Sequence, residues 1–420
     1  MQDGVRRSTG RGRIGRRALG MLGATVLMRP AVAQTPPAEL RIGAVFPLSG
    51  PLALLGDESF RGVEMAVEER NAHGGVLARP LRLVRADAPD DGASAAETRR
   101  LVSGNDRVAA IFGSYSTSVA LPGGQVAEAA GVPWFELSAL GDGVIDRGFR
   151  WVFRASPRAA DFAAASLDAV TEVLAPAFGQ LARTIRLGIA HDEGAGSQSV
   201  GTAQEDQARG RGLTIVERAT YASRPADLNA LVQRLRGQDA EVILHTGAPG
   251  DELMLFRALR DATWWPRMVI GTAGGYGLVE TARSLGDALL GAMSADFTPF
   301  AVNERFAPGA RAFADAYLRR YGAEPRSGHG LASYVGARIF LDALHRAGGL
   351  EKEKVRGAIL ALDIAEGTTP TGWGARFDEK GQNTRALPVI CQWQNSPHGL
   401  RQVVVSPAQA AVADAVPKLG

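Results

Sequence analysis

A strand that leads directly through a loop of small residues into a helix constrains the fold of this chain most. Residues Leu40–Asp57 read LRIGAVFPLSGPLALLGD: an apolar strand, Leu40–Phe46, then a Pro/Ser/Gly-containing loop, Pro47–Gly56. A helical pattern with one apolar face begins at Asp57. Small residues at the carboxyl end of a strand let backbone amides approach a ligand. The stretch therefore predicts a ligand crevice in an α/β protein.

The first 33 residues have the pattern of an export signal. An apolar run, Ala18–Met28, follows the arginine pair Arg16–Arg17, and Ala31–Ala33 supplies a small-x-small cleavage site. The run is too short to stay in a membrane as a spanning helix. The arginine pair fits a twin-arginine signal, and an ordinary secretion signal is the alternative. We expect residues 1–33 to be a signal peptide and the remainder to function outside the cytoplasm.

Charge and cysteine content exclude several classes of function. The whole chain has a net charge of +3, and seven arginines and one aspartate give residues 1–33 a charge of +6, so the rest carries −3. That remainder has no Lys/Arg run interleaved with aromatic residues, so neither nucleic acid nor a polybasic membrane contact is expected. The single cysteine, Cys391, excludes an intramolecular disulfide.

Alternating strand and helix patterns predict two parallel-sheet domains. About 385 residues remain after the signal, more than one core usually serves. Short apolar strands between helices imply right-handed βαβ units and sheets covered on both faces. The pattern breaks near Phe153–Arg158 and separates two series. The predicted strands are Leu40–Phe46, Leu81–Ala86, Val108–Phe112, Trp134–Leu137, Ile185–Ala190, Thr214–Tyr221, Glu241–His245 and Met268–Ile270.

The end of the chain differs in pattern from the two series. Ala375–Asp378 and Leu387–Trp393 alternate like antiparallel strands. Residues 407–420 are rich in alanine and are expected to form a flexible tail.

Two loops that follow buried strands predict the ligand contacts. Gly113–Ser118 contains three serines and a threonine at a helix start, where they either cap free amides or hold an anion together with them. Five small or polar residues in six exceed what one cap requires, so we favour a ligand loop. Ser138–Asp142 follows the next strand, and a plain turn is the alternative there. Successive βα loops face one crevice, which favours the ligand interpretation for both.

No catalytic, cofactor or metal motif stands out. Gly271–Gly277 fails the spacing of a dinucleotide loop, although its Tyr276 is placed to stack on a ligand. HExxH, GxSxG and P-loop motifs are absent, and the six histidines lack metal-ligand spacing. His191–Glu193 has an acid/base-like composition, but it is the polar end of a predicted strand. We therefore expect no enzyme activity, no cofactor and no metal.

With these residues in hand, the chain resembles the periplasmic substrate-binding proteins of ABC transporters in the leucine/isoleucine/valine-binding family. The resemblance extends from Leu40 to about Pro407. It is carried by Ile42–Val76, by the serine loop with its helix and the following GVPW (Gly113–Trp134), by Arg147–Arg154, by Arg376–Ala386 and by Trp393–Gln394.

The resemblance implies an α/β type I periplasmic-binding fold, with two doubly wound parallel-sheet lobes joined by three crossover segments. The first lobe would comprise residues 39–155 and 297–362, and the second residues 156–296 and 363–406. By position, the resemblance places a ligand carboxylate on the serine loop and the following loop. The implied ligand residues are Leu55, Ser116, Thr117, Ser138, Ala139 and Leu140 in the first lobe, and Ala195, Gly247 and Ala273 in the second.

The second lobe departs from the family pattern at three positions. Ala195 stands where amino-acid binders carry an aromatic residue, Gly247 where tyrosine is frequent, and Ala273 where an acid would hold the substrate ammonium. A buried ammonium without a partner costs several kcal/mol. A bulkier or uncharged solute, such as an aromatic acid, amide or keto acid, is therefore expected in place of an ordinary α-amino acid.

The resemblance implies a monomeric periplasmic receptor that closes on a small carboxylate-bearing solute, of the branched-chain amino acid type or related to it. The closed form would deliver that solute to an ABC permease in the inner membrane. The alternative is a ligand-sensing receptor domain for amides or amino acids in a signalling system.

Overall fold

The computed structural model describes residues 38–104, 107–223 and 226–416, so the predicted signal peptide lies outside the described residues. The first sheet has five parallel strands in the order β2-β1-β3-β4-β5. Its strands are β1 (Leu40–Phe46), β2 (Leu81–Asp87), β3 (Ala110–Gly113), β4 (Trp134–Glu136) and β5 (Val152–Arg154).

The second sheet repeats this order and adds an antiparallel hairpin. Its order is β7-β6-β8-β9-β10-β11-β12; the first five strands are parallel, and β11 and β12 run antiparallel. The strands are β6 (Arg186–Asp192), β7 (Thr214–Tyr221), β8 (Val242–Thr246), β9 (Met268–Thr272), β10 (Met293–Asp296), β11 (Val389–Ser396) and β12 (Gly399–Ser406).

Helices cover both sheets. α4 continues into a π-helical stretch, Ala169–Leu174, before α5. The helices are α1 (Ala53–Ala72), α2 (Asp91–Ser103), α3 (Thr117–Ala130), α4 (Ala159–Asp168), α5 (Ala175–Phe178), α6 (Ala195–Gly210), α7 (Asn229–Gly237), α8 (Asp251–Asp261), α9 (Val279–Leu285), α10 (Ala310–Tyr321), α11 (Gly328–Arg346) and α12 (Lys352–Leu360).

Each sheet has its own hydrophobic core. In the first lobe, one core includes residues of α1 and of α10 to α12, and a second core includes residues of α2 and α3. α1 and α11 approach closely because Gly62 has no side chain, and a Cβ there would collide with the Gly330 carbonyl. The second sheet and its helices form the third core. Ala375 and Phe377, which follow the proposed third crossover, pack in the first lobe. The lobe boundaries stay a prediction.

The strand order places a crevice at a defined edge of each sheet. In the order 2-1-3-4-5, the second strand lies on one side of the first strand and the later strands lie on its other side. Ligands bind in such sheets in the gap beyond the carboxyl ends of the strands, where the strand order reverses. This switch point lies between β1 and β3 in the first lobe and between β6 and β8 in the second. Five of the ten predicted ligand residues follow the strands at the two switch points: Leu55, Ser116, Thr117, Ala195 and Gly247.

The structure differs from the sequence prediction at the end of the chain. Ala375 and Phe377 form only isolated bridges, with Ile364 and Asn383, and the hairpin lies between β11 and β12. The predicted flexible tail is described as far as Val416, whose amide donates to Gln392 Oε1 at 2.8 Å. Among the described residues no helix is long and apolar enough to span a membrane.

Candidate ligand-binding site

The amino end of α3 presents unused backbone donors at the first lobe's switch point. Ser116 is the N-cap; its hydroxyl accepts from Val119 N at 3.4 Å and lies 3.0 Å from the Ser118 hydroxyl. Within the described residues, the amides of Thr117 and Ser118 have no hydrogen-bond acceptor. Free amides at the positive end of a helix dipole bind anions. The predicted residues Ser116 and Thr117 therefore lie where a ligand carboxylate can be held.

The two lobes meet beside this helix end. Thr117 Oγ1 accepts from Gly141 N at 3.0 Å, and a Cβ on Gly196, in the first turn of α6, would lie 2.8 Å from the same oxygen. Asp142 N donates to Ser199 Oγ of α6 at 3.0 Å. The first turns of α3 and α6, one from each lobe, therefore approach each other across the cleft.

A buried carboxylate at the end of β4 binds the loop that follows this strand. Glu136 accepts six hydrogen bonds of 2.8–3.1 Å, which consume the amides of both Ser138 and Ala139. Oε1 accepts from the amides of Ser114, Leu137, Ser138 and Ala139, and Oε2 accepts from Ser114 Oγ and Trp134 Nε1.

A buried guanidinium binds the carbonyl groups of the same loop. Arg154 Nη1 donates to the carbonyls of Ala139, Leu140 and Gly141 at 2.8–3.1 Å, and Nε donates to Gln382 Oε1 at 2.7 Å. Burial lowers the pKa of Arg154 to about 10, against the opposing charges of Asp142 and Glu136. The polar backbone of this loop is thus largely used by the protein itself, which leaves side chains to face a ligand.

The remaining predicted first-lobe residues surround this loop. The Ser138 hydroxyl lies 3.2 Å from that of Ser333, and Leu140 packs against the core of the second lobe. Leu55 is buried in the first turn of α1.

At the switch point of the second lobe, other side chains occupy the space beside Gly247. A Cβ on Gly247 would collide with the Tyr221 hydroxyl and lie 2.6 Å from Asp251 Oδ2. Tyr221 donates to that oxygen at 3.0 Å, and the Ala248 amide donates to it at 3.1 Å. The space that the small residue at 247 leaves is therefore occupied by Tyr221 and Asp251.

Behind Asp251, the polar contacts continue into the lobe. The Tyr221 hydroxyl lies 2.9 Å from His245 Nε2, and His245 Nδ1 lies 2.7 Å from the Tyr276 hydroxyl. Tyr276 is buried, its ring filling the space beside Gly271. Its hydroxyl is thus directed at His245 inside the lobe.

The other predicted second-lobe residues lie at strand and helix ends. Ala195 is exposed and begins α6. Ala273 is buried after β9 with φ 42°, a value that non-glycine residues seldom adopt. Glu252 fills the space that a side chain on Gly275 would need.

Four buried carboxylates of the second lobe lack a cationic partner within the described residues: Asp192, Asp251, Glu252 and Asp296. Burial raises the pKa of Asp251 to about 6 and that of Asp296 to about 7, and it also raises the pKa of Glu252.

These carboxylates act on a tyrosine of the opposite lobe. The pKa of Tyr115, in the serine loop, is raised by burial and then by Glu252, Asp296 and Asp192. His245 does not offset the negative charge, because burial lowers its pKa to about 3 and keeps it neutral. One wall of the cleft thus offers free amides, and the other carries negative charge.

Two further features lie apart from this arrangement. An open groove of about 620 Å³ lies at the opposite edge of the first sheet, lined by Arg79, Arg107 and Lys352 among others, and it includes none of the predicted ligand residues. The described residues contain no group of three or more His, Cys, Asp or Glu side chains arranged to hold a metal ion.

Sequence reasoning missed the charged residues of the site. Glu136 interrupts an otherwise apolar strand, and that is the signal that would have found it. Asp251 and Glu252 follow GAPG directly after β8, at the edge where the crevice was expected, but they resemble an ordinary acidic first turn of a helix. His245 likewise interrupts an apolar strand, so the same signal would have found it.

The sequence pattern of the periplasmic binding protein family matches residues 39–395. The chain belongs to this family. It is 39% identical over 378 residues to Leu/Ile/Val-binding protein homolog 7 of Brucella suis biovar 1. The aligned residues cover 90% of this chain and 94% of the relative. Homolog 8 of Brucella abortus is also 39% identical, over 377 residues, covering 90% and 92%.

Solved structures share the fold at lower identity. A leucine-binding protein of Thermotoga maritima has a TM-score of 0.74 at 20% identity and covers 86% of this chain and 97% of its own. A branched-chain amino acid transporter substrate-binding protein of Streptococcus pneumoniae, solved with isoleucine, has a TM-score of 0.73 at 20% identity, covering 88% and 100%. The predicted type I fold is confirmed, and membership of the family confirms a binding protein rather than an enzyme.

Proposed function

We propose that this protein is the periplasmic solute receptor of an ABC importer and binds an α-amino acid with an apolar side chain. The observation that carries the proposal is the polarity of the cleft. The first lobe has unused amides at Thr117 and Ser118, and the second lobe has four buried carboxylates without a cationic partner in the described residues. A zwitterion, with a carboxylate at one end and an ammonium at the other, matches both walls.

The relatives support this class of ligand. Curated relatives at 39% identity are named Leu/Ile/Val-binding protein homologues, and a protein of the same fold was solved with isoleucine. The absence of an acid at Ala273 no longer argues for an uncharged solute, because Asp251 and Glu252 bring carboxylates to the same edge of the sheet.

Binding would proceed by hinge closure. The amino end of α3 captures the ligand carboxylate, and the second lobe then closes so that α6 approaches α3. Shifting an open-to-closed ratio from 1:99 to 99:1 requires about 5.5 kcal/mol of differential binding. Charge-assisted hydrogen bonds of roughly 1.5–3 kcal/mol each supply that amount from a few contacts. The closed receptor, as a monomer, would then dock on a permease in the inner membrane.

Calorimetric titration of the protein without residues 1–33 tests the proposal. The titrants are leucine, isoleucine and valine, with phenylacetate, acetamide and 4-methyl-2-oxopentanoate for comparison. We expect at least one of the three amino acids to bind more tightly than the comparison compounds. Preference for an amide or keto acid over all three amino acids would contradict the proposed ligand class.

Thr117→Val tests the carboxylate position, since it keeps the shape and removes the hydroxyl. We expect affinity to fall about 10-fold or more, because one hydrogen bond to a charged group is lost. The control is Thr184→Ala, whose hydroxyl bonds the Leu181 carbonyl on the far side of the second lobe. Equal affinities of Thr117→Val and the control would show that the ligand carboxylate is held elsewhere.

A further inference from the structure

We propose that Asp251, presented by the first turn of α8, is the residue that recognises the cationic group of the solute. The inference deepens the proposed function and rests on it. The chemical class it selects is a ligand with a protonated amine beside its carboxylate. Asp251 would thereby supply the negative charge that Ala273 cannot.

The position of Asp251 in the sheet supports this role. The switch point of the second lobe lies between β6 and β8, and Asp251 follows β8 by five residues. Its Oδ2 occupies the space into which a side chain on Gly247 would project. The carboxylate therefore lies at the edge where a solute enters the second lobe.

One oxygen atom of Asp251 is available to a ligand. Both hydrogen bonds to Asp251 reach Oδ2, from Tyr221 and Ala248, so Oδ1 has no partner within the described residues. In Glu252 and Asp296, by contrast, both carboxylate oxygens accept hydrogen bonds from the protein. Asp251 is only 3% exposed, yet its Oδ1 is not fully enclosed by protein, so a ligand donor can reach that oxygen.

The hydrogen bonds behind Asp251 all run toward it. Tyr221 has a single hydroxyl hydrogen, which it donates to Asp251, so His245 must donate its Nε2–H to the Tyr221 oxygen. Nδ1 of the neutral His245 then accepts from the Tyr276 hydroxyl. Three groups thus donate in series toward the carboxylate, which favours its ionised form and fixes its orientation.

Asp192 is the competing acid at the same switch point. It is 4% exposed and accepts from Gly194 N through Oδ1 only. It has no hydrogen-bond relay behind it, and its negative charge raises the pKa of Asp251. An ammonium at Asp251 would relieve this repulsion, so Asp192 strengthens the attraction without making the contact. The two acids make different predictions for mutants.

The test compares two ligands that differ at one group. Leucine and 4-methyl-2-oxopentanoate share the carboxylate and side chain, and only leucine carries the ammonium. By calorimetry at pH 7.5, we expect Asp251→Asn to weaken leucine binding about 10- to 100-fold and to change binding of the keto acid less than about 3-fold. Asp261→Asn, which removes an exposed charge from the far end of α8, should change neither affinity.

Each outcome has a defined meaning. Equal losses for both ligands, or no loss for leucine, would overturn the role of Asp251, and so would a selective loss in Asp192→Asn but not in Asp251→Asn. Tyr221→Phe removes the donor to Asp251 while keeping the ring, and we expect a smaller, leucine-selective loss. The wild-type titration tests the proposed function by itself: a protein that binds leucine while Asp251→Asn keeps full selectivity retains that function and refutes only this inference.

Discussion

Glu136 and Arg154 occupy paired positions on the neighbouring strands β4 and β5, and both are fully buried. Glu136 gathers amide groups of the loop that follows β4, and Arg154 gathers its carbonyls. Two opposite charges therefore bind the backbone of one ligand loop, the carboxylate through its amides and the guanidinium through its carbonyls. A buried charge is costly when its hydrogen bonds are lost, which makes each member sensitive to replacement.

At the residue scale, we predict that Glu136→Gln lowers the free energy of unfolding by about 2–4 kcal/mol. The amide directs an NH2 group at donors that previously met an oxygen, and it removes one of the two carboxylate charges, Glu136 and Asp142, that act on buried Arg154. Guanidinium denaturation measures the change.

The matched control for this substitution is Glu97→Gln. Glu97 is partly exposed and bonds Arg100 one turn along α2, so its loss should cost less than about 0.5 kcal/mol. Similar costs for the two variants would contradict the structural role of Glu136.

At the element scale, α1 joins α10 and α11 through one buried carboxyl. Glu58 in α1 accepts from the Tyr317 hydroxyl of α10 at 2.7 Å and from Arg326 N, just before α11, at 3.2 Å. Burial raises the pKa of Glu58 from 4.5 to about 7, although both hydrogen bonds lower it. In this packing, ionising Glu58 opposes the folded state.

The raised pKa of Glu58 predicts a stability change with a definite sign. Between pH 4.5 and 7 the folded protein holds a proton on Glu58 that the unfolded chain releases, so this residue's contribution to stability falls as pH rises. Glu58→Gln removes the titration. We expect its free energy of unfolding, relative to wild type, to rise by roughly 3 kcal/mol from pH 4.5 to pH 8, measured by urea denaturation.

Because the histidines titrate in both proteins, their contribution to the pH dependence cancels when Glu58→Gln is compared with wild type. Tyr317→Phe is a second probe, because it removes a hydrogen bond that lowers the pKa of Glu58. The pH range over which the titration of Glu58 changes stability should therefore extend to higher pH. A difference between Glu58→Gln and wild type that is independent of pH would refute the assignment.

At the scale of the whole molecule, the lobes touch where the first turns of α3 and α6 meet. Gly196 allows this approach, because a Cβ there would lie 2.8 Å from Thr117 Oγ1. Closure of the cleft therefore depends on the lack of a side chain at one position of α6.

We predict that Gly196→Ala opens the cleft without unfolding either lobe. Alanine favours the helix over glycine by up to about 1 kcal/mol, so the free energy of unfolding should not fall, whereas solute affinity should fall about 10-fold or more because the closed form is strained. Calorimetry gives the affinity, and small-angle scattering gives the change in radius of gyration on adding leucine.

Gly210→Ala, at the end of the same helix, is the control, since a Cβ at that position would have no atom within 4 Å. It should bind solute as the wild type does. If Gly196→Ala also bound solute normally, closure would not bring α3 and α6 together as this structure has them.

Much of the fold was readable from local sequence. Apolar runs gave β1 and β7 with their observed bounds. β5 and β10 were missed because three or four residues give no period, and β10 (MSAD) lacks β-branched residues. The antiparallel strands were predicted too early in the chain, because Ala375–Asp378 alternates in sequence but forms no full strand pairing.

By itself, the sequence determined where the sheets lie and which small-residue loops end their strands, because hydrophobic period and turn residues act over a few positions. Only the tertiary structure decided the chemistry of those loops. Tyr221 is 30 residues from Asp251, and Ser114 is 22 from Glu136. Parallel strands bring the carboxyl ends of separate βαβ units together, so the partner of a polar group there is set by sheet order, which no local pattern specifies.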